Sequence, residues 1–263
     1  RAYENLGQFY ETVDALQKVS NLNPENLDAK SKLGNYYLIS TPPQTDETQR
    51  ILDDIFARDA NFIEGHILKA SLSAAKGKPE NEVLGILNQA IALNPNRTES
   101  YLSLSRYFVK LNKADEAEKA IQKGISVNQN AALGYIVYGR FFDYANRAAE
   151  AETQYKKAIE VEANNIEARE AIGEFYVAQK QFDKAEIAYK ELVQIQENSP
   201  ESRLQLADFY AQIKREDEAI NVLNQIIGES PGYVRARYRL GEIYLDKKEY
   251  AQTSAQIEEL IKL

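Results

Sequence analysis

Few side chains in this sequence are suited to acid–base, nucleophilic or metal chemistry. The chain has no Cys and one His, His66, which excludes disulfides, thiol chemistry and sites built from several imidazoles. Adjacent carboxylates occur at Asp53-Asp54 and Glu258-Glu259, but neighbours in a helix point to different sides and do not form an acid–base pair. There is no glycine-rich phosphate loop, nucleophile elbow or metal-ligand spacing. The sequence therefore predicts a protein that is not an enzyme, with no metal and no cofactor.

The composition predicts a folded protein and excludes few classes of partner. Of 263 residues, 44% are hydrophobic and 27% are charged, which is typical of globular chains. The net charge of −8 argues against nucleic-acid binding. No apolar run approaches the ~18 residues of a membrane span, and the first residues show no signal peptide. The chain has no Met, so we expect it to be a fragment of a longer protein. We expect the protein to be located in the cytoplasm or in a bacterial periplasm or cell envelope.

A regular internal repeat is the dominant pattern. A small residue is followed three positions later by an aromatic one, as in Gly139 with Phe142 and Gly173 with Tyr176. The spacing between successive small residues is 37 and then 34 five times. We place the small residues of the repeat at Gly34, Ser71, Ser105, Gly139, Gly173, Ala207 and Gly241, with Ser71 and Ala74 forming a degenerate copy.

A second helix is predicted in the other half of each repeat. Apolar residues there recur at intervals of four and three, which is the period of one helix face. Prolines at Pro24, Pro95 and Pro231 fall where units end, as expected for residues that cannot continue a helix. The first residues of this apolar series are Val83, Ala117, Ala151, Ala185, Ala219 and Thr253. Each unit is therefore predicted to be a pair of short helices.

Three local features accompany the pairs. Asp residues share one position just before the second helix and are predicted to cap it; they are Asp115, Asp183 and Asp217. Tyr3 and Gly7 fall where the end of a first helix and its turn are expected. The spacing of 37 is three residues longer than the others, and we place the three extra residues in the loop 40–46. They are either a tolerated surface insertion or a contact for a partner.

The pattern resembles the tetratricopeptide repeat over nearly the whole chain. The clearest matches are Ala171-Ile172-Gly173-Glu174-Phe175-Tyr176 and Leu240-Gly241-Glu242-Ile243-Tyr244. The usual Trp at the fourth position is missing, and the repeat around Ala70 to Ala90 diverges. The resemblance implies an all-α, right-handed α-solenoid of stacked antiparallel helix pairs. We divide residues 1–263 into a half repeat, 1–25, and seven repeats at about 26–62, 63–96, 97–130, 131–164, 165–198, 199–232 and 233–263.

The resemblance also implies where a partner binds. In this family the first helix of each pair lines a concave groove. Mapped onto this chain, the groove is apolar and basic in its middle and acidic towards its C-terminal end. We therefore expect a partner segment with an acidic end near Arg106 and Arg140 and a basic end near Glu174 and Asp208, although these charges are equally explained as a solvated face. The predicted groove residues are Leu68, Leu72, Lys76, Leu102, Arg106, Lys110, Ile136, Arg140, Tyr144, Glu170, Glu174, Leu204, Asp208, Tyr238 and Glu242.

Three functional interpretations remain open from the sequence. The first is a non-catalytic scaffold that binds a protein or peptide segment in the groove. The second is the repeat arm of a larger bacterial envelope assembly or enzyme, for example in exopolysaccharide export or surface sorting, since the Gln/Asn-rich acidic repeats resemble bacterial members of the family. The third is end-to-end self-association. The sequence does not identify the partner.

Overall fold

A computed structural model describes residues 2–263, with side chains from residue 9 onward. Every regular element of the described residues is an α-helix, and the helices pack as consecutive pairs, which confirms the all-α repeat fold. The chain forms two compact units, the first ending at Gln129 and the second spanning Asn130–Leu263. The helices are α1 (Ala2–Leu22), α2 (Leu27–Ile39), α3 (Thr45–Arg58), α4 (Ile63–Ala75), α5 (Glu80–Leu93), α6 (Thr98–Lys110), α7 (Ala114–Val127), α8 (Ala132–Tyr144), α9 (Ala148–Val161), α10 (Ile166–Ala178), α11 (Phe182–Ile195), α12 (Pro200–Gln212), α13 (Glu216–Glu229), α14 (Val234–Asp246) and α15 (Tyr250–Lys262).

The first helix of each pair, which we call the A helix, has the same length throughout. The A helices α2, α4, α6, α8, α10, α12 and α14 each contain 13 residues, so we number their positions 1–13. We call the helices that follow them, α3, α5, α7, α9, α11, α13 and α15, the B helices. Position 8 is occupied by Gly34, Ala70, Ser105, Gly139, Gly173, Ala207 and Gly241.

This register corrects the second repeat, whose small residue is Ala70 and not Ser71. The connection between α2 and α3, residues 40–44, is two residues longer than the three-residue A-to-B connections of later repeats, and the connection between α4 and α5, residues 76–79, is one residue longer. Two of the three extra residues therefore lie in the predicted loop. The third lies after α4, where Gly77 and Pro79 extend the turn.

A tight turn joins the A and B helices in each later repeat. Asn146 and Lys180 have φ values of 58° and 57°, in the left-handed region. The next backbone N–H returns to the carbonyl of the position 11 aromatic, from Arg147 to Phe142 and from Gln181 to Tyr176, both at 2.8 Å. This 6→1 bond closes the end of the A helix in a Schellman motif. The motif fixes the angle at which the B helix folds back.

Close packing at position 8 explains why the residue there is small. Gly139 faces the ring of Tyr155 on α9, and a Cβ added to this glycine would lie 2.6 Å from the nearest ring atom. Tyr155 is 2% exposed and its ring centroid is 5.5 Å from that of Phe175. The absence of a side chain therefore lets α8 and α9 approach each other.

Cations occupy position 4 of several A helices, where the resemblance leads us to expect Trp. Arg169 and Arg203 in the second unit have side chains that are 17% and 12% exposed. Arg169 pairs with Glu191, and Arg203 pairs with Glu229 at 2.8 Å, each on the B helix of the same repeat. The aliphatic stems thus fill space between the helices while the charged ends reach carboxylates near the surface.

A carboxylate on one B helix also ties successive repeats together in the second unit. Glu152 on α9 accepts hydrogen bonds from Tyr176 on α10 at 2.9 Å and from Lys184 on α11 at 3.1 Å. Lys156 lies 2.8 Å away on the same helix. These donors, Lys156 foremost, lower the pKa of Glu152 to about 2, although partial burial opposes them.

The same arrangement recurs one repeat later. Glu186 on α11 accepts hydrogen bonds from Tyr210 at 3.0 Å and from Arg215, and lies 2.7 Å from Lys190. Its pKa is lowered to about 2, mainly by Lys190 and then by Arg215 and Tyr210. We call these two groups the Glu152 clamp and the Glu186 clamp.

The helix ends correct two further predictions. Helix α1 continues from Ala2 to Leu22 without a turn at Gly7, because a single glycine costs only about 1 kcal/mol inside a helix. Asp115, Asp183 and Asp217 are the second residues of α7, α11 and α13 and do not cap them. The tight turn places another residue at the N-cap, and the carboxylates instead interact with the dipole of the first helical turn.

Candidate functional site

The accessible face of the A helices is formed by positions 9 and 13, which lie one turn apart. All residues at position 13 are exposed, and those at position 9 are exposed or half-buried. Seven predicted groove residues lie on this face: Arg106, Lys110, Arg140, Tyr144, Glu174, Asp208 and Glu242. Two more, Glu170 and Tyr238, reach the surface from position 5.

Three apolar residues predicted to line the groove belong instead to the core. Leu102, Ile136 and Leu204 are at most 1% exposed. They occupy position 5, three residues before the small residue at position 8, and residues three apart share one helix face. In these three A helices the apolar side chain at position 5 therefore packs between the helices and is not presented to a partner.

The one-residue shift in the second repeat removes three more predicted groove residues. Leu68 and Leu72 are buried at positions 6 and 10, and Lys76 follows the end of α4. Leu68 packs against Gly34, where an added Cβ would meet it at 2.6 Å. The residues that face outward are each one place earlier: Ile67, Ser71 and Ala75.

These outward-facing residues line a cavity of about 410 Å³ in the first unit. Its walls come from three A helices, with Leu38 and Ile39 on one side and Arg106 and Lys110 on the other. Ala70, Ser71, Ala74 and Ala75 of α4 form the middle, and Val83 and Leu87 of α5 lie beneath them. The cavity is within the 300–1,000 Å³ range typical of binding pockets. It is a concave, largely apolar surface with two cations on its rim.

The A-helix face of the second unit is mainly an array of internally paired charges. Arg140 binds Glu167 of the next A helix at 2.9 Å. Arg239 binds Asp208 at 2.6 Å and Glu242 at 3.0 Å, and it is only 11% exposed. These residues therefore link neighbouring A helices, and much of their charge is already compensated within the unit.

Glu174 differs from the other carboxylates of this face. Withdrawal from water raises its pKa above the usual value, and Glu170 adds repulsion, while Arg140 acts in the opposite direction. Tyr144, one A helix earlier, is 78% exposed. Glu174 and Tyr144 are both exposed on this face.

The one histidine of the sequence lies inside the first unit. His66 is buried at position 4 of α4, where its ring lies 4.9 Å from Phe56 and its Nε2 is 3.0 Å from the carbonyl of Ala60. Among residues 2–263, no group of three or more His, Cys, Asp or Glu is placed to hold a metal ion. No helix in the same range combines the length and apolarity needed to cross a bilayer.

Comparisons with known families agree with this architecture. The profile described as "Tetratricopeptide repeat" matches residues 98–130, and that described as "Tetratricopeptide repeat protein 21 ARM repeat" matches residues 142–257. Together the two matches cover more than half of the chain. The chain is a tetratricopeptide repeat protein. No curated protein matches the chain.

Solved tetratricopeptide repeat structures resemble the chain in fold. The structure of yeast Tom70 matches with a TM-score of 0.64 and 18% identity, over 97% of this chain and 55% of that one. The structure of the APC/C hetero-tetramer Cut9-Hcn1 matches with a TM-score of 0.51 and 15% identity, over 97% of this chain and 50% of that one. The chain thus spans about half the length of these solved chains.

The small residues that form the cavity are not recognisable from a regular repeat spacing. Such a spacing places Ser71 at position 8 of the second repeat and therefore puts the outward-facing residues of α4 on the wrong side of the helix. The signal that corrects this is the sequence Lys76-Gly77-Lys78-Pro79. In later repeats, one residue of left-handed backbone conformation is followed by a single residue before the B helix begins. In the turn after α4, two residues follow the left-handed one.

Proposed function

We propose that this tetratricopeptide repeat protein is a non-catalytic scaffold that binds a protein segment on the A-helix faces of its units. The observation that carries the proposal is the 410 Å³ cavity, because three successive A helices contribute to one open, concave surface. Tetratricopeptide repeats generally serve as protein-interaction scaffolds. The proposal makes a protein segment, and not a nucleic acid, the partner of this acidic chain.

The test compares affinity capture of proteins from native extract by variants of the complete chain. The first-unit variant, Arg106→Glu with Lys110→Glu, reverses the two rim charges. The second-unit variant, Tyr144→Ala with Glu174→Gln, changes the exposed residues of the other face. Bound proteins are identified by mass spectrometry and their affinities are then measured with purified components.

A matched control separates a local effect from a change of net charge. Lys119→Glu with Lys123→Glu makes the same charge change, also four residues apart, on the exposed surface of B helix α7. We expect a protein that the parent and the control retain and that at least one face variant loses. Equal capture by all four proteins, or capture by none, would overturn binding on the A-helix faces.

The repeat arm of a larger bacterial assembly remains the alternative proposal. The chain covers only about half of the solved chains that it resembles, so a whole-protein activity is not assigned to it. Self-association is tested separately by light scattering over a range of concentrations, in which a constant monomer mass would exclude it.

A further inference from the structure

The α4 helix combines small side chains at positions 8, 9, 12 and 13, whereas each other A helix carries a larger residue at one or more of positions 9, 12 and 13. Ala70, Ser71, Ala74 and Ala75 stand at positions 8, 9, 12 and 13, and no other A helix of the described residues is small at all four. On the next A helix, positions 9, 12 and 13 are Arg106, Val109 and Lys110; on the preceding one they are Asn35, Leu38 and Ile39. The short side chains of α4 therefore leave open space between α2 and α6 at this repeat.

The cavity is chemically asymmetric. Ala74, Val83 and Leu87 give it an apolar floor, and the α2 wall is apolar apart from Asn35. The α6 wall carries Arg106 and Lys110, both exposed, and the residues that line the cavity include no carboxylate. A negative group next to an apolar one is therefore the complementary ligand.

We propose that this cavity binds one apolar side chain of a partner peptide, and that Arg106 and Lys110 bind an Asp or Glu side chain close to it in the same peptide. The site rests on the proposed scaffold function and specifies its ligand. The apolar side chain enters the space above Ala74 and gains affinity by removing its own surface and that of the cavity from water. The carboxylate gives direction, since the two cations lie only on the α6 side.

The experiment selects peptides from a library of random short peptides displayed on phage and bound to the complete chain. The enriched peptides are synthesised with a fluorescent label, and their affinities are measured by anisotropy. Ala74→Phe places a ring in the cavity, and Ala74→Leu fills it less. Ala92→Phe is the matched control, since it adds the same ring to an exposed position of α5 that does not line the cavity.

We expect the enriched peptides to share an apolar residue with Asp or Glu nearby. Ala74→Phe should weaken their binding by at least about tenfold, Ala74→Leu less, and Ala92→Phe not at all, because a pocket anchor is worth more than about 1.4 kcal/mol. Replacing the peptide carboxylate by its amide, or Arg106 and Lys110 by Gln, should each weaken binding by roughly two- to fivefold and reduce its salt dependence. The helical circular dichroism of the Ala74 variants should match the parent.

Three results would overturn the site. The first is enrichment of peptides without the apolar–acidic pairing. The second is unchanged binding to a folded Ala74→Phe chain; if those peptides are lost from Tyr144→Ala with Glu174→Gln, scaffold binding stands and only this cavity is excluded. The third is no enrichment at all, which would count against both this site and peptide binding on the A-helix faces.

Discussion

The packing of Gly139 against Tyr155 leads to a prediction whose sign depends on the repeat. Gly→Ala in a helix interior ordinarily stabilises by about 1 kcal/mol. At Gly139 the new methyl would lie 2.6–2.9 Å from three atoms of the Tyr155 ring. Since that ring is buried against Phe175, it cannot move away without loss of packing. Overpacking of this kind costs about 1–3 kcal/mol.

The equivalent change at Gly241 provides the matched control. There the nearest atom to an added Cβ is Cβ of Gln256 at 3.6 Å, an ordinary contact. We expect Gly241→Ala to stabilise by about 0.5–1 kcal/mol. We expect Gly139→Ala to destabilise by up to about 2 kcal/mol, which is the overpacking cost of about 1–3 kcal/mol less a gain in helix propensity of about 1 kcal/mol.

The assay is urea unfolding of the complete chain followed by circular dichroism. With a slope of about 2 kcal/mol/M, the two midpoints should move in opposite directions by roughly 0.3–1 M. In a Tyr155→Leu background, Gly139→Ala should no longer destabilise, because the two residues are in contact and their effects are not additive. A stabilising Gly139→Ala, or an equally destabilising one in the Tyr155→Leu background, would refute the explanation.

Three further predictions concern stability. The carboxyl pKa of Glu152 and Glu186 lies at about 2 in the folded chain, below the value of 4.5 for a free Glu. Each clamp therefore stabilises the folded chain by at most about 3 kcal/mol, and this contribution is fully present above pH ~4.5. Urea midpoints measured as the pH falls from 4.5 towards 2 should drop less for a Glu152→Gln, Glu186→Gln double variant; parallel curves would contradict this. Arg203→Met should leave the urea midpoint nearly unchanged because the packing of the aliphatic stem is kept. Arg203→Ala should lower the midpoint. Equal losses in the two variants would show that the ion pair, and not the stem, contributes the stability. Leu68→Ala should lower the free energy of unfolding by about 2–5 kcal/mol and Ile67→Ala by clearly less, as measured by thermal melting. The reverse order would support the alternative register, in which Ser71 occupies position 8.

The repeat fold followed from the sequence because its packing rule is local and periodic. Gly139, Gly173 and Gly241 keep a regular spacing with an aromatic three residues later, and each feature has the same role in every pair. The groove depended on a finer distinction. Position 5 faces the core in some A helices and the surface in others: Leu204 is buried and Tyr238 is exposed.

The remaining errors arise where a local change is compensated at a distance. The expected spacings between the small residues of the first three repeats are 37 and 34, and the observed spacings are 36 and 35. Because the two pairs have the same sum, the sequence pattern does not reveal the extra residue after α4. Charge pairing was also not evident from single residues. Arg140 was expected to attract a partner's carboxylate, but Glu167 already lies within 2.9 Å of it; the two belong to successive repeats and meet only once the helices stack.

The recurrence of the Glu152 clamp at Glu186 bears on how this protein can change length during evolution. Tyr176 and Tyr210 each donate a hydrogen bond from their hydroxyl to the preceding B helix. A cation adds to each joint, Lys184 from within the following B helix and Arg215 from the residue just before it. Recombination that removes one whole repeat within this stretch would bring Glu152 onto Tyr210 and recreate a joint that already exists. The second unit can therefore gain or lose whole repeats without inventing a new interface.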